Sequence, residues 1–463
     1  MYKSLFASNA LLAGGWAQNV WMGWDEHGML TAVRPDTAPA SVPRDTFMAS
    51  GPVIAGMPNL HSHAFQRAFS GLTEYRHQTQ DSFWSWRTLM YRFAALLTPE
   101  QVEAIACWLY VEMLQAGYTS VCEFHYVHHD QDGRPYEDDA TLARCLLNAA
   151  HRVGMGMTLL PVLYQTSGFG HQPPSVGQRR FIRSTDSMLA LLDKLHPLCK
   201  AQGAQLGLAP HSLRAVPPDS LQAVLAGLDA IDARAPIHIH IAEQTAEVDA
   251  CLGWSGQRPV EWLLNHAEVD QRWCLVHATH MAPNEYERAA RQGAIAGLCP
   301  TTEANLGDGI FDFTRWREHG GVWGIGSDSH ICVDPAEDLQ MLEYSQRLQY
   351  RQRNIAADTT RPQVAENLWL QAVAGGAQAS ARPVHGLLPG QLADFIVLDA
   401  QHVALRELTP SLMLASHVFA SSRGRAIDSV WTRGEMRVER GVHPLAETTA
   451  HDFVQARTAL LSA

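Results

Sequence analysis

From residue 53 to residue 327, short apolar runs of β type are each followed by helical or loop sequence, and this happens eight times. The runs are residues 53–59, 119–126, 157–164, 206–209, 236–242, 274–278, 294–299 and 322–327. Eight strands alternating with helices predict a (β/α)8 TIM-like barrel over residues 53–380. An open doubly wound sheet is the competing architecture, but no Gly-x-Gly-x-x-Gly follows the first strand to support it. One helix start is explicit: Thr98-Pro99-Glu100-Gln101 offers a cap, a proline at the first position and a glutamine able to reach back, and predicts a helix to about Gly117.

The flanks read differently. Residues 1–52 suggest short strands at 11–16, 20–24 and 29–33, and residues 381–463 suggest a strand at 393–399, a hairpin around Arg433-Gly434 and a closing helix at 446–461. The expected arrangement is a small β-sandwich domain built from both chain ends and packed beside the barrel.

Composition narrows the partners. A net charge of -12 argues against a general nucleic-acid or anionic-membrane surface. A small-molecule substrate is the natural partner. Eight scattered cysteines without a Cys-x-x-Cys pair fit reduced, buried thiols, and neither signal-peptide architecture nor a membrane-length apolar run is present. The expected location is cytoplasmic.

Barrel enzymes carry their chemistry at the C-terminal ends of the strands. Here the first strand ends in His61-Ser62-His63, the second in Glu123-Phe124-His125-Tyr126, and the fourth in Pro210-His211-Ser212-Leu213-Arg214. The fifth is Ile237-His238-Ile239-His240-Ile241-Ala242-Glu243, the sixth ends in His277-Ala278-Thr279-His280, and the eighth in Ser327-Asp328-Ser329-His330. Any one of these histidines alone is more often structural, but six such ends together are hard to explain by packing, because buried polar groups are costly unless paired. Three imidazoles and a carboxylate, His61, His63, His240 and Asp328, can hold one divalent ion, Zn²⁺ or in its place Fe²⁺ or Mn²⁺, whose bound water can be acidified. Glu243, three residues past a ligand, is positioned to move protons.

Taken together, the His-x-His, the His-Ile-Ala-Glu, the sixth-strand histidine and the Ser-Asp-Ser resemble the amidohydrolase superfamily in its deaminase branch. The flanking segment Leu388-Pro389-Gly390-Gln391-Leu392-Ala393-Asp394 resembles that superfamily's composite sandwich. Binuclear members commonly bridge two ions with a carbamylated lysine on the fourth strand. The only lysines are Lys3, Lys194 and Lys200, none at a predicted strand end, so the resemblance implies a single ion.

A narrower resemblance, carried by residues 61–68, Trp84-Ser85-Trp86-Arg87, Glu123-Phe124-His125-Tyr126 and Pro210-His211-Ser212-Leu213-Arg214, is to the formimidoylglutamate deiminase family. It implies hydrolysis of N-formimino-L-glutamate to N-formyl-L-glutamate and ammonia in histidine degradation, by a homodimer. It also implies Gln66, Arg87, Tyr126, His211 and Arg214 as substrate contacts, with Arg87 expected in a long loop after the first strand. A substrate with two carboxylates suits two arginines, which bind carboxylate through paired hydrogen bonds. Glu243 or Asp328 would take the first proton, Glu243 would donate to the departing nitrogen, and His277 would orient the attacked centre. The rival enzyme reading is a purine, pyrimidine or triazine deaminase with the same metal residues. The rival of another class is a non-catalytic barrel scaffold.

Overall fold

The computed structural model describes residues 2–74, 83–421 and 426–462; the side chains of residues 83–85, that of Trp84 among them, lie outside the described residues. Both chain ends meet in one eight-stranded sheet. It contains β1 (Ser4–Leu12), β2 (Gly15–Trp24), β3 (Leu30–Arg34), β4 (Phe47–Met48) and β5 (Val53–Ala55) from the N-terminal part. Three more strands, Phe395–Leu398, Ile427–Thr432 and Glu435–Glu439, come from the C-terminal part and join through antiparallel pairing of Phe395–Leu398 with β5. Aromatic rings lock the two ends together: Trp431 lies 5.3 Å from Phe395, 6.0 Å from Trp24 and 5.0 Å from Phe47.

The barrel strands are β6 (Met57–Ser62), β7 (Tyr118–His125), β8 (Gly156–Leu163), β9 (Gln205–Leu206) with β10 (Ala209–Pro210), β11 (Ile237–Ile241), β12 (Trp273–His277), β13 (Ile295–Leu298) and β14 (Val322–Ile325). Nearly every residue in them is buried, as expected of parallel strands covered on both faces. The strands form two parallel arcs, β6 to β10 and β11 to β14. Backbone contacts close the circle at both seams. Leu208 bridges Ile237 on one side and Ser62 bridges Asp328 on the other, where Asp328 N–H donates to His61 O at 3.0 Å.

Four readings of the sequence are corrected. The strand expected at 11–16 spans the turn of the β1–β2 hairpin, since Leu12 pairs with Gly15, whose φ of +121° suits the turn. The single strand expected at 53–59 breaks at Gly56, so β5 serves the terminal sheet and β6 the barrel. The fourth barrel strand is two short pieces rather than one run. Arg87 lies not in a loop but in helix α1 (Phe83–Leu96), which is followed by α2 (Pro99–Ala116). In α2 the capping box of Thr98 and Gln101 forms as read, and Gly117 closes the helix at φ +101°.

Candidate active site

The strand ends converge. His61 Nε2 lies 3.2 Å from His63 Nε2 and 3.0 Å from His240 Nε2, and Asp328 Oδ1 lies 3.5 Å from the first and 3.4 Å from the second. Burial holds all three imidazoles below their ordinary pKa, His61 at about 3, so they are neutral and their lone pairs are available. His63 Nδ1 faces the Phe124 carbonyl at 2.9 Å; as a donor there it turns its Nε2 lone pair inward. Neutral imidazole nitrogens this close cannot all satisfy one another by hydrogen bonds, and a cation among them removes that conflict. The separations also match the edges, about 3.3 Å, of a tetrahedron whose ligands sit at about 2.0–2.1 Å from an ion. The donor set therefore fits a divalent metal.

The backbone around this cage is unusual. Ala242, His277, Ala278, Asp328 and His330 all have positive φ, between +45° and +67°, which aims the ends of β11, β12 and β14 into the barrel mouth. Glu123, at the end of β7, braces the His-x-His turn: it accepts from Ala64 N–H and Ser62 Oγ at 2.7 Å each and from Tyr110 Oη at 3.2 Å.

Beside the cage, His277 Nε2 lies 3.8 Å from both Glu243 Oε1 and Asp328 Oδ2. Its Nδ1 lies 3.3 Å from Glu303 Oε1. Burial opposes charge on this ring, but Glu243, Glu303 and Asp328 outweigh it and push the imidazole up to about 10. Burial raises Glu243 to about 7, with the negative charges of Asp328 and Glu247 adding to it, so this carboxyl can give or take a proton near neutrality.

A cavity of about 50 Å³ opens from the cage. Its walls carry His63, His240, Asp328, Glu243 and His277, together with Gln66, Arg87, Tyr126, His211 and Arg214. Every site residue read from the sequence is thus in one place, His61 lying just behind the wall. Gln66 donates to Tyr126 Oη at 3.0 Å, and its buried Oε1 has no partner among the described residues. The same holds for Arg214 Nη1.

The profile of the Amidohydrolase family matches residues 53–437, more than half of the chain. The chain belongs to the amidohydrolase family. This amidohydrolase is 50% identical over 460 residues to a formimidoylglutamate deiminase of Pseudomonas aeruginosa, spanning 99% of this chain and 100% of the relative. It superposes on an amidohydrolase from Brucella melitensis with a TM-score of 0.94 and 46% identity over 100% of both chains. An adenosine deaminase from Xanthomonas campestris with bound zinc shares the fold at a TM-score of 0.82 and 19% identity, over 99% of this chain and 98% of that one.

Sequence reading missed several residues of the amidohydrolase site. Tyr164 stands at the end of the third strand and would have been found by the strand-end criterion applied to the others. Glu303 follows the seventh strand by one helical turn, in a helix that the sequence reading did not locate. Met90 and Tyr91 line the cavity from α1, and Phe181 lines it from the segment before the helix Thr185–Ala201, where no local signal marked them.

Proposed function

We propose that this amidohydrolase is a hydrolytic deiminase that converts N-formimino-L-glutamate and water to N-formyl-L-glutamate and ammonia. The observation that carries the reading is the shared cavity: the cage of imidazoles and carboxylate and two arginines, Arg87 and Arg214, face one space. The full-length relationship to the Pseudomonas enzyme agrees with it.

His61, His63, His240 and Asp328 would hold one divalent ion, with Zn²⁺ the best match to three neutral imidazoles and a carboxylate. Such an ion supplies Lewis-acid polarisation and an acidified water. Lysine gives no support for a bridged pair of ions: Lys194 sits in the helix Thr185–Ala201 and pairs with Asp138. Arg87 and Arg214 hold the carboxylates of the substrate, and Gln66, Tyr126 and His211 orient its amidine end. As water adds to the formimino carbon, Glu243 or Asp328 takes the proton. His277, held by Glu303, keeps a donor against the addition centre. Glu243 then delivers that proton to the imino nitrogen, the hydroxyl of the adduct gives up its own proton through Glu243 or Asp328 to the same nitrogen, the carbon–nitrogen bond breaks, and ammonia leaves as the formyl carbonyl forms. The same reading carries a homodimer, a cytoplasmic location and a place in histidine degradation.

Ammonia release from N-formimino-L-glutamate, compared with guanine and cytosine and with metal content measured on the same sample, tests the proposal. Turnover of the formimino substrate with about one ion per chain supports it. Activity on the rings alone overturns it in favour of a ring deaminase, and no ion with no turnover after metal loading favours a scaffold.

A further inference from the structure

The Gly/Pro/Ser-rich segment after the third strand has no role in the chemistry above, yet it delivers one buried side chain beside the cavity. Gln178 is 2% exposed and ends a short helical turn, Val176–Gln178. Its Oε1 accepts from Ser175 N–H at 2.7 Å, which fixes the orientation of the amide: the NH₂ group faces the other way. There it donates to Tyr164 Oη at 2.6 Å and to Tyr91 Oη at 3.3 Å. A primary amide nitrogen only donates, so both phenolic oxygens act as acceptors toward Gln178; the Tyr91 hydroxyl is also hydrogen-bonded to Tyr164, which leaves the Tyr164 hydrogen for another partner.

Both phenols line the cavity, together with Arg87 and Arg214. The Arg87 guanidinium lies 5.4 Å from the centroid of the Tyr91 ring, one helical turn along α1, and the Tyr164 ring stands edge-on to His211 at 4.5 Å. Burial, with Tyr164 alongside, holds the Tyr91 phenol up at about 12, so it remains a donor at neutral pH. Two guanidiniums and the Tyr164 hydroxyl, with Tyr91 and His211 beside them, line the same cavity as the cage and supply the hydrogen-bond donors that a carboxylate requires.

We propose that Tyr164 is a carboxylate-binding, specificity-determining residue of this site, and that Gln178 and Tyr91 position it by donating to its phenolic oxygen so that its hydrogen serves the substrate. The inference rests on the substrate being a formimino dicarboxylate. It differs from a packing role in what it demands of Gln178. An isosteric Gln178→Glu places an acceptor and a negative charge where the donor was, capturing the Tyr164 hydrogen; Gln178→Met removes the donor but leaves that hydrogen free.

The experiment measures KM and kcat on N-formimino-L-glutamate for wild type, Gln178→Glu, Gln178→Met, Tyr91→Phe and Tyr164→Phe, with thermal unfolding and metal content as checks on folding. The expected result is a KM raised about tenfold or more in Tyr164→Phe and Gln178→Glu, with a smaller change in kcat. The order of KM should be Glu above Met above wild type. A packing role predicts the reverse, because Glu preserves the shape and Met does not. KM within twofold of wild type in Tyr164→Phe, or Gln178→Met more damaging than Gln178→Glu, overturns the inference while leaving the proposed function standing. A wild type that does not hydrolyse N-formimino-L-glutamate overturns both.

Discussion

The two ends of the cavity are built by different means. At the cage end, side chains project from the barrel strands or the residues that immediately follow them. Their backbones are tied together across the seam, His61 O to Asp328 N–H and His63 N–H to Asp328 O, and Glu123 holds the turn between. At the end proposed to bind carboxylate, Arg87 and Tyr91 come from α1, Arg214 from the turn after β10, and Gln178 from the short helical turn Val176–Gln178. Chemistry that needs donors within a few tenths of an ångström is mounted on the sheet, where neighbours fix each position. In the proposed function, selection of a substrate falls to connections, which can change without disturbing the sheet.

Three perturbations test this division, beginning with the most severe. Asp328→Asn or His240→Ala removes a cage ligand and should lower kcat/KM by about 10³-fold or more, with loss of bound metal measured on the same protein. Chelation followed by metal return should abolish and restore activity in the wild type but not in these cage variants. Glu243→Gln should keep the ion and lower kcat by about 10²–10⁴-fold, since the side chain retains its shape and loses its ability to accept a proton. A variant of near-normal kcat would move the proton to Asp328. At the other end, Arg214→Ala should act chiefly on KM, by about ten- to a hundredfold, through loss of a charge-assisted contact. If instead kcat falls as steeply as for Glu243→Gln, the two ends are not separable.

The same division explains what could be read from the sequence. Eight apolar runs and the imidazoles and carboxylates at their ends were legible, because a strand buried on both faces leaves an unmistakable apolar run and a polar residue at its end stands out. Gln66, Arg87, Tyr126, His211 and Arg214 were reached by family resemblance rather than by pattern, and they do share the cavity. Helix α1 was not legible. Its sequence, Phe-Trp-Ser-Trp-Arg-Thr-Leu-Met-Tyr-Arg-Phe-Ala-Ala-Leu, packs apolar residues around most of its circumference, so no clean 3.6-residue stripe separates it from loop. The break at Gly56 was also hidden, because the apolar pattern of residues 53–59 runs through it, and the reason for it is tertiary: a Cβ there would meet the Thr119 side chain at 2.3 Å.

Two glycines give the mildest comparison of the two ends. At Gly326, just beyond β14, an added Cβ would lie 2.8 Å from the His61 backbone nitrogen and 2.7 Å from His61 Cβ. Neither atom can retreat, because His61 is held in β6 and across the seam by Asp328. Gly326→Ala should therefore cost about 1–3 kcal/mol in unfolding free energy and lower metal affinity as β6 and β14 are pushed apart. At Gly177 the nearest atom is Cδ2 of the half-buried Tyr91 ring at 3.2 Å, and a ring bordering a cavity can yield by a few tenths of an ångström. Gly177→Ala should leave the melting temperature and metal content near wild type and raise KM by only about two- to threefold, through the small displacement of one phenol. Calorimetry and steady-state kinetics on the pair distinguish the ends by kind as well as by size: a stability loss at Gly177 without a KM change would mean that the loop braces the fold and does not tune the carboxylate pocket.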